Sequence, residues 1–191
     1  LDSILSVVHF IFVLYLAIIA QFIIQLIALS VNGINPIVYM KKSLALLILA
    51  FTSRSSVGCL PVTIETLTQK LGVNQATASF VAGFGTTAGM QGCAGIFPSL
   101  LIVYVCHLTG TVMDFSMIVM TIIVVTLGSL GIAGIPGTAT MAASVGLSGV
   151  GMASSFSLIG PILAIDPLID MARTMLNVSG SVTNALIIDK R

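Results

Sequence analysis

The sequence predicts an all-α integral membrane protein, an inverted repeat of two re-entrant helical hairpins and broken transmembrane helices. Three observations predict it. Hydrophobic residues make up 57% of the 191 and charged residues only 7%, with a mean hydropathy of +1.17; so apolar a chain hides its surface only in lipid. Five of the seven basic residues, Lys41, Lys42, Lys70, Lys190 and Arg191, fall in predicted connections or at the chain end. Two turn-forming clusters, each followed by an interrupted or polar helix, repeat one another in order.

The elements follow from the apolar runs. Residues 5–30 form a full spanning helix interrupted only by Gln21 and Gln25, which are four apart, share a face and predict contact with protein rather than lipid. Asn32, Gly33, Asn35 and Pro36 make a turn, and Lys41 and Lys42 mark a membrane edge. The run 43–52 holds about ten apolar residues, too few to cross, before the polar cluster 52–56. After Gly58 and Pro61 a second short stretch leads to Glu65 and Lys70, so this segment goes in, turns at depth and returns. Residues 80–108 are long enough to span but carry Gly83, Gly85, Gly89, Gly92 and Gly95, which predicts unwinding there. Asp114 sits in the next connection. The short run 116–131 ends in Gly-Ile-Ala-Gly-Ile-Pro-Gly, 138–159 returns, and a single last helix is expected from about Pro161 to Ile188.

These bounds divide the chain into a leading transmembrane helix, 1–35, and a second unit, 36–191. The second unit comprises a re-entrant hairpin at 36–72, a broken helix at 74–110, a second hairpin at 115–159 and a last transmembrane helix at 160–191. Basic residues favour the cytoplasmic side, so Lys42 and Lys70 share a side only if the segment between them returns. The first run is too long for a signal-peptide core and lacks a small-residue cleavage site. With Leu1 in place of Met, a fragment boundary is expected.

Several functions are excluded. A net charge of +1 offers no basic stripe for nucleic acid. Cys59, Cys93 and Cys106 show no paired spacing and read as packing residues, not as disulfide or metal ligands; His9 and His107 are isolated and receive no role. Ser55 or Ser56 with a distant histidine and no nucleophile elbow makes a poor hydrolase, so no catalytic residue, metal or cofactor is expected and the chain is not read as an enzyme.

Inverted repeats with discontinuous helices meeting at mid-bilayer are the architecture of secondary transporters. Asp166, Asp170, Arg173 and Asn177 lie on one predicted helix. A charge at the bilayer centre costs about 3 kcal/mol or more, and an amino-acid zwitterion supplies a reason for it: a carboxylate suits Arg173 and an ammonium suits Asp170. The other reading is an ion pair that only locks helices together, which leaves the two tips unexplained. Asp166, before Pro167, reads as a cap or support. A passive channel or a structural membrane subunit is the reading from a different class.

Four stretches carry a family resemblance: Arg54-Ser-Ser-Val-Gly-Cys-Leu-Pro61, Gly85-Thr-Thr-Ala-Gly-Met-Gln-Gly92, Ala133-Gly-Ile-Pro-Gly137 and Asp170-Met-Ala-Arg-Thr-Met-Leu-Asn-Val-Ser-Gly180. Together they resemble the signature regions of the dicarboxylate/amino acid:cation symporters, relatives of the glutamate transporters. Gly92-Cys-Ala-Gly-Ile-Phe-Pro98 and Gly134-Ile-Pro-Gly-Thr-Ala-Thr-Met-Ala-Ala-Ser144 look most like bacterial L-cystine uptake transporters. The resemblance implies the transport half of an elevator-type carrier, moving against an N-terminal scaffold half that this sequence lacks, a homotrimer when full length, in the bacterial inner (plasma) membrane as a multi-pass protein. It implies lipid and a small amino acid as partners.

By the same resemblance, Ser55, Ser56 and Asn177 match positions that hold the substrate α-carboxylate, Asp170 the α-amino partner, Thr174 a neighbour of that site, and Arg173 the group that reads a side-chain carboxylate. Gly134, Ile135, Pro136, Gly137 and Thr138 match the outer gate. Cystine has two zwitterionic ends, so Arg173 would take the distal carboxylate. Sodium-coupled members have Asn-Met-Asp-Gly and a closing Asp where this chain has Gly89-Met90-Gln91-Gly92 and Ser181. Two hard carboxylate ligands are therefore missing, which predicts weakened or altered sodium coupling, with Gly85, Thr87, Asn177 and Ser181 as a weak cation site and a proton as the alternative coupling ion. The runner-up substrates are a dicarboxylate or a small neutral amino acid.

Overall fold

The computed structural model describes residues 2–190; Leu1 and the Arg191 used in the charge argument lie outside them. Among the described residues there are helices and turns and no strand. Helix α1 (Asp2–Val31) turns Phe10, Leu14, Ile18, Gln25 and Leu29 inward, a helical spacing that leaves Phe12, Leu16, Ile19, Ile23 and Ile27 on the outer face. Gln25 thus stands in the middle of a buried apolar stripe.

Helix α2 (Pro36–Ser53) corrects one expectation. The run 43–52 was too short to cross, but the helix begins seven residues earlier, because Asn35 caps it by accepting from the Ile37 and Val38 amides and Pro36 occupies its first turn. Lys41 and Lys42 sit within the helix, not at its end. At 18 residues it spans about 27 Å. Arg54 ends it with a φ of 55°, the one non-glycine residue of positive φ among those described.

Helix α3 (Leu60–Glu65) runs into a π-helical turn, Thr66–Lys70. Helix α4 (Gln75–Gly85) starts at an Asn74 cap. The chain leaves helical conformation at 86–90, turns at Gly89 with a φ of 67°, and resumes as a π-helical segment, Gln91–Ile96, and helix α5 (Phe97–Thr109). Helix α6 (Phe115–Gly128) is capped by the Asp114 carboxylate, which accepts from the Met117 amide at 2.8 Å. After the 132–137 loop come α7 (Thr138–Gly149), a 3-10 stretch (Ala153–Ile159), α8 (Gly160–Ala164) and α9 (Asp166–Asp189).

The single last helix expected over 161–188 is two helices. The chain bends by 85° between the segments Ala153–Ala164 and Asp166–Asp189. Pro167 has no amide hydrogen to donate back across Ile165, so a new helix starts there. Leu5–Val31, Pro36–Ser53 and Gln91–Thr109 are each long and apolar enough to cross a membrane, and the bent pair makes a fourth span if counted as one.

Helix α9 is the axis of the molecule. It packs against α1, α2, α4 and the 91–96 segment, and most of its length is buried. Apolar side chains gather in two clusters: one joins the first half of α1 to α5, α7 and the start of α9, the other joins the end of α1 to α2, α4 and the end of α9. Buried polar side chains of α9, among them Asp170, Arg173, Thr174 and Asn177, lie along the stretch between them.

Candidate functional site

Two irregular loops meet. The Val57 amide donates to the Gly134 carbonyl at 3.1 Å, and the Ser55 hydroxyl reaches the same oxygen at 3.4 Å. Gly134 in turn donates its own amide to the Thr86 carbonyl at 2.8 Å, and the Gly89 amide donates to Ser129 at 3.3 Å. Three backbone hydrogen bonds thereby tie the loop at 54–59 and the break at 86–90 to residues 129–134. Gly134 is required here: a Cβ on it would come within 2.8 Å of both Ser56 Cβ and the Thr86 oxygen. Ser55 also accepts from the Gly58 amide at 2.9 Å, which stops the loop just before α3. The Ser56 hydroxyl is buried without a protein partner.

In the second loop Gly137 takes a φ of 88°, and the Thr138 hydroxyl folds back onto the Ile135 and Ala133 carbonyls. Ile135, by contrast, is half exposed. This loop is held through its backbone while its apolar side chain stays on the surface.

Arg173 is fully buried. Its Nη2 donates to Asp166 Oδ1 and, at 3.1 Å, to Asp170 Oδ1, and its guanidinium carbon lies 3.9 Å from the centre of the Phe97 ring, within cation–π range. Nε and Nη1 have no protein partner. Asp166, read from the sequence as a cap or support, is instead a full member of an ion-pair cluster. Helical spacing is the reason: residues 170 and 173, four and seven after residue 166, share one face of α9 with it.

Asn177 lies one turn further along. Its Oδ1 accepts from the Gly92 amide at 2.7 Å, and its Nδ2 donates to Cys93 Sγ at 3.0 Å. The Cys93 thiol is 3.5 Å from Asp170 Oδ1. Cys93, assigned to packing by the sequence reading, therefore bridges Asn177 and Asp170. The readable signal was its place in the glycine-rich break rather than any cysteine spacing. Thr174 is buried beside these groups on the same helix. Among the described residues no hydrogen bond joins Ser55 or Ser56 to Asp170, Arg173 or Asn177; the loop serines and the α9 cluster are two separately bonded halves.

The weak cation positions divide similarly. Gly85 and Ser181 are in close contact, and the Ser181 hydroxyl donates to the Asn177 carbonyl at 3.3 Å. Both border an open groove of about 400 Å³ lined also by Phe84, Ala88 and Gly89. Thr87 is exposed and donates to the Phe84 carbonyl at 3.2 Å. Gln91 points away from this group: its Oε1 accepts from Gln25 Nε2 at 2.6 Å and from Gln21 Nε2 at 3.0 Å. The pair of glutamines on α1 thus makes the protein contact their spacing predicted. Among the described residues no group of three or more His, Cys, Asp and Glu side chains has the arrangement to hold a metal ion.

Known proteins bear on these residues. The chain is 43% identical over all 191 of its residues to the L-cystine uptake protein TcyP of Bacillus licheniformis, 44% to that of Bacillus subtilis and 41% to that of Bacillus cereus. It spans 41% of the length of each of these relatives. A profile of the sodium:dicarboxylate symporter family matches residues 1–191, the four signature stretches and the α9 cluster included, and the chain belongs to that family.

Proposed function

We propose that the chain is the transport half of a secondary amino-acid carrier that imports L-cystine across the bacterial inner membrane. In this reading residues 1–35 lead into a mobile unit, 36–191, built as an inverted repeat with re-entrant hairpins at 36–72 and 115–159. The unit moves as an elevator against an N-terminal scaffold half in a homotrimer. The observation that carries the proposal is the meeting of the 54–59 and 132–137 loops through Gly134, with the Asp170–Arg173–Asn177 cluster buried on α9. Irregular backbone and buried charge in an apolar chain call for a polar guest.

Ser55, Ser56 and Asn177 receive the α-carboxylate, Asp170 with Thr174 the α-ammonium, and Arg173 the distal carboxylate; residues 134–138 gate the outer side. The unpartnered Arg173 donors support its assignment, since a carboxylate oxygen would satisfy one of them. The likeness to L-cystine uptake proteins supports the choice of substrate. Neutral Gln91 and Ser181 support weak sodium coupling, and the engagement of Gln91 with Gln21 and Gln25 strengthens that argument, because its amide oxygen is already occupied. Gly85, Thr87, the Asn177 carbonyl and Ser181 remain the weak cation site of this reading.

A competition panel in liposomes containing the full-length protein tests the proposal: labelled cystine uptake against excess cystine, aspartate, serine or succinate. Saturable uptake inhibited by cystine alone is expected. Stronger inhibition by succinate or aspartate would move the substrate to the dicarboxylates, and non-saturable flux would point to a channel.

A further inference from the structure

We propose that Gln25 of α1 is a positioning residue for the substrate site, acting through Gln91 on the residues that contact Asn177. The inference rests on the transport reading above. It starts from a chain of hydrogen bonds that crosses four elements: Tyr39 on α2, Ser179 on α9, Gln25 on α1 and Gln91 at the start of the π-helical segment.

The direction of this chain is fixed by the chemistry of its members. Ser179 Oγ donates to Gln25 Oε1, which uses its only proton. The Tyr39 hydroxyl, 2.6 Å away, must then donate to Ser179. Gln25 Nε2 donates to Gln91 Oε1 at 2.6 Å and to the Leu176 carbonyl at 3.3 Å. Turning the Gln25 amide over would set its oxygen against the Leu176 oxygen, so the orientation has one solution. Every bond therefore points the same way and ends on Gln91 Oε1, which Gln21 also serves.

The surroundings leave the amides little freedom. Gly180 of α9 lies beneath them: a Cβ there would stand 3.1 Å from Gln91 Nε2 and 3.2 Å from Gln25 Nε2. Gln25 itself is only 3% exposed, and loss of a buried partner strands the others.

What the brace holds is the residue next to Gln91. The Gly92 amide donates to Asn177 Oδ1, and Cys93 contacts both Asn177 and Asp170. With Gln91 anchored to α1 on one side and Gly92 to α9 on the other, the first turn after the break is fixed at two points. Releasing the α1 anchor leaves Asn177 and Asp170 in place but lets their partners move. Affinity would fall while the carrier still cycles.

Full-length protein in liposomes tests this with Gln25→Leu, Gln91→Leu and the double variant, alongside hydrogen exchange of segment 86–96 in detergent. Gln25→Leu is expected to raise the KM for cystine about tenfold with little change in maximal rate. It should also speed exchange in 86–96 and leave 100–109 unchanged. In the Gln91→Leu background the same substitution should add nothing further. Ser179→Ala, a milder cut in the same chain, should move KM and exchange in the same direction and serves if Gln25→Leu does not fold. Equal KM effects with and without Gln91, or unchanged exchange in 86–96, would overturn the inference. A wild-type protein without saturable cystine uptake refutes the transport reading instead, and the exchange comparison still decides whether the brace exists.

Discussion

Gly92 lies flat against Arg173: a Cβ on the glycine would come within 2.7 Å of the Arg173 carbonyl oxygen and 2.9 Å of its Cα. Both are backbone atoms in the middle of α9, so neither can swing aside. Gly92→Ala would push the 91–96 segment off α9 and break the hydrogen bond from the residue-92 amide to Asn177. Overpacking of this kind costs about 1–3 kcal/mol. Cystine uptake by the full-length variant is expected to be abolished and its melting temperature in detergent lowered; wild-type uptake would show that the contact yields easily.

Gly134→Ala tests the meeting of the two loops. Its methyl group would collide with Ser56 and with the Thr86 carbonyl, and the loops would part. An apparent KM for cystine raised by about tenfold or more is expected, with the protein still folded by circular dichroism. An unchanged KM would mean that the contact is not part of the binding state.

The buried ion cluster predicts an asymmetry between its members. Removing Arg173 strands two buried carboxylates, so Arg173→Met should destabilise by about 3–5 kcal/mol. Asp166→Asn keeps a partner for the guanidinium in Asp170 and should cost less. Melting temperatures of the two variants check the order. If Arg173→Ala folds and transports cystine normally while Asp170→Asn is inactive, the distal-carboxylate role of Arg173 is wrong.

Sodium replacement tests the coupling argument. With Gln91 and Ser181 in place of carboxylates, uptake is expected to persist when choline replaces sodium at fixed pH. A rise in uptake as external pH is lowered at constant sodium would identify the proton as the coupling ion. Full loss of uptake in choline at both pH values would refute weak sodium coupling.

The helical membrane class was legible because composition and charge placement are properties of the chain alone. So was the interior contact of Gln21 and Gln25, since a four-residue interval fixes a shared face whatever surrounds it. The start of α2 was not, because Lys41 and Lys42 resemble a membrane edge whereas Asn35 and Pro36 set the true helix beginning. The role of Asp166 was within reach, since residues 166, 170 and 173 share a helical face; its place before Pro167 at the helix start pointed to a cap instead. Cys93 shows a different limit, for its partners Asn177 and Asp170 lie 84 and 77 residues away.

The clustering of Asp166 and Asp170 on a single guanidinium has an electrostatic consequence. With all three ionised, the cluster carries one formal negative charge in excess, held in the buried interior where water screens it poorly. A guest ammonium group placed beside the carboxylates would offset that excess locally, whereas a carboxylate placed there would add to it. Under the transport reading, the two halves of a symmetric disulfide-linked amino acid being identical, the excess charge selects which group of the bound half faces the cluster, not which half enters.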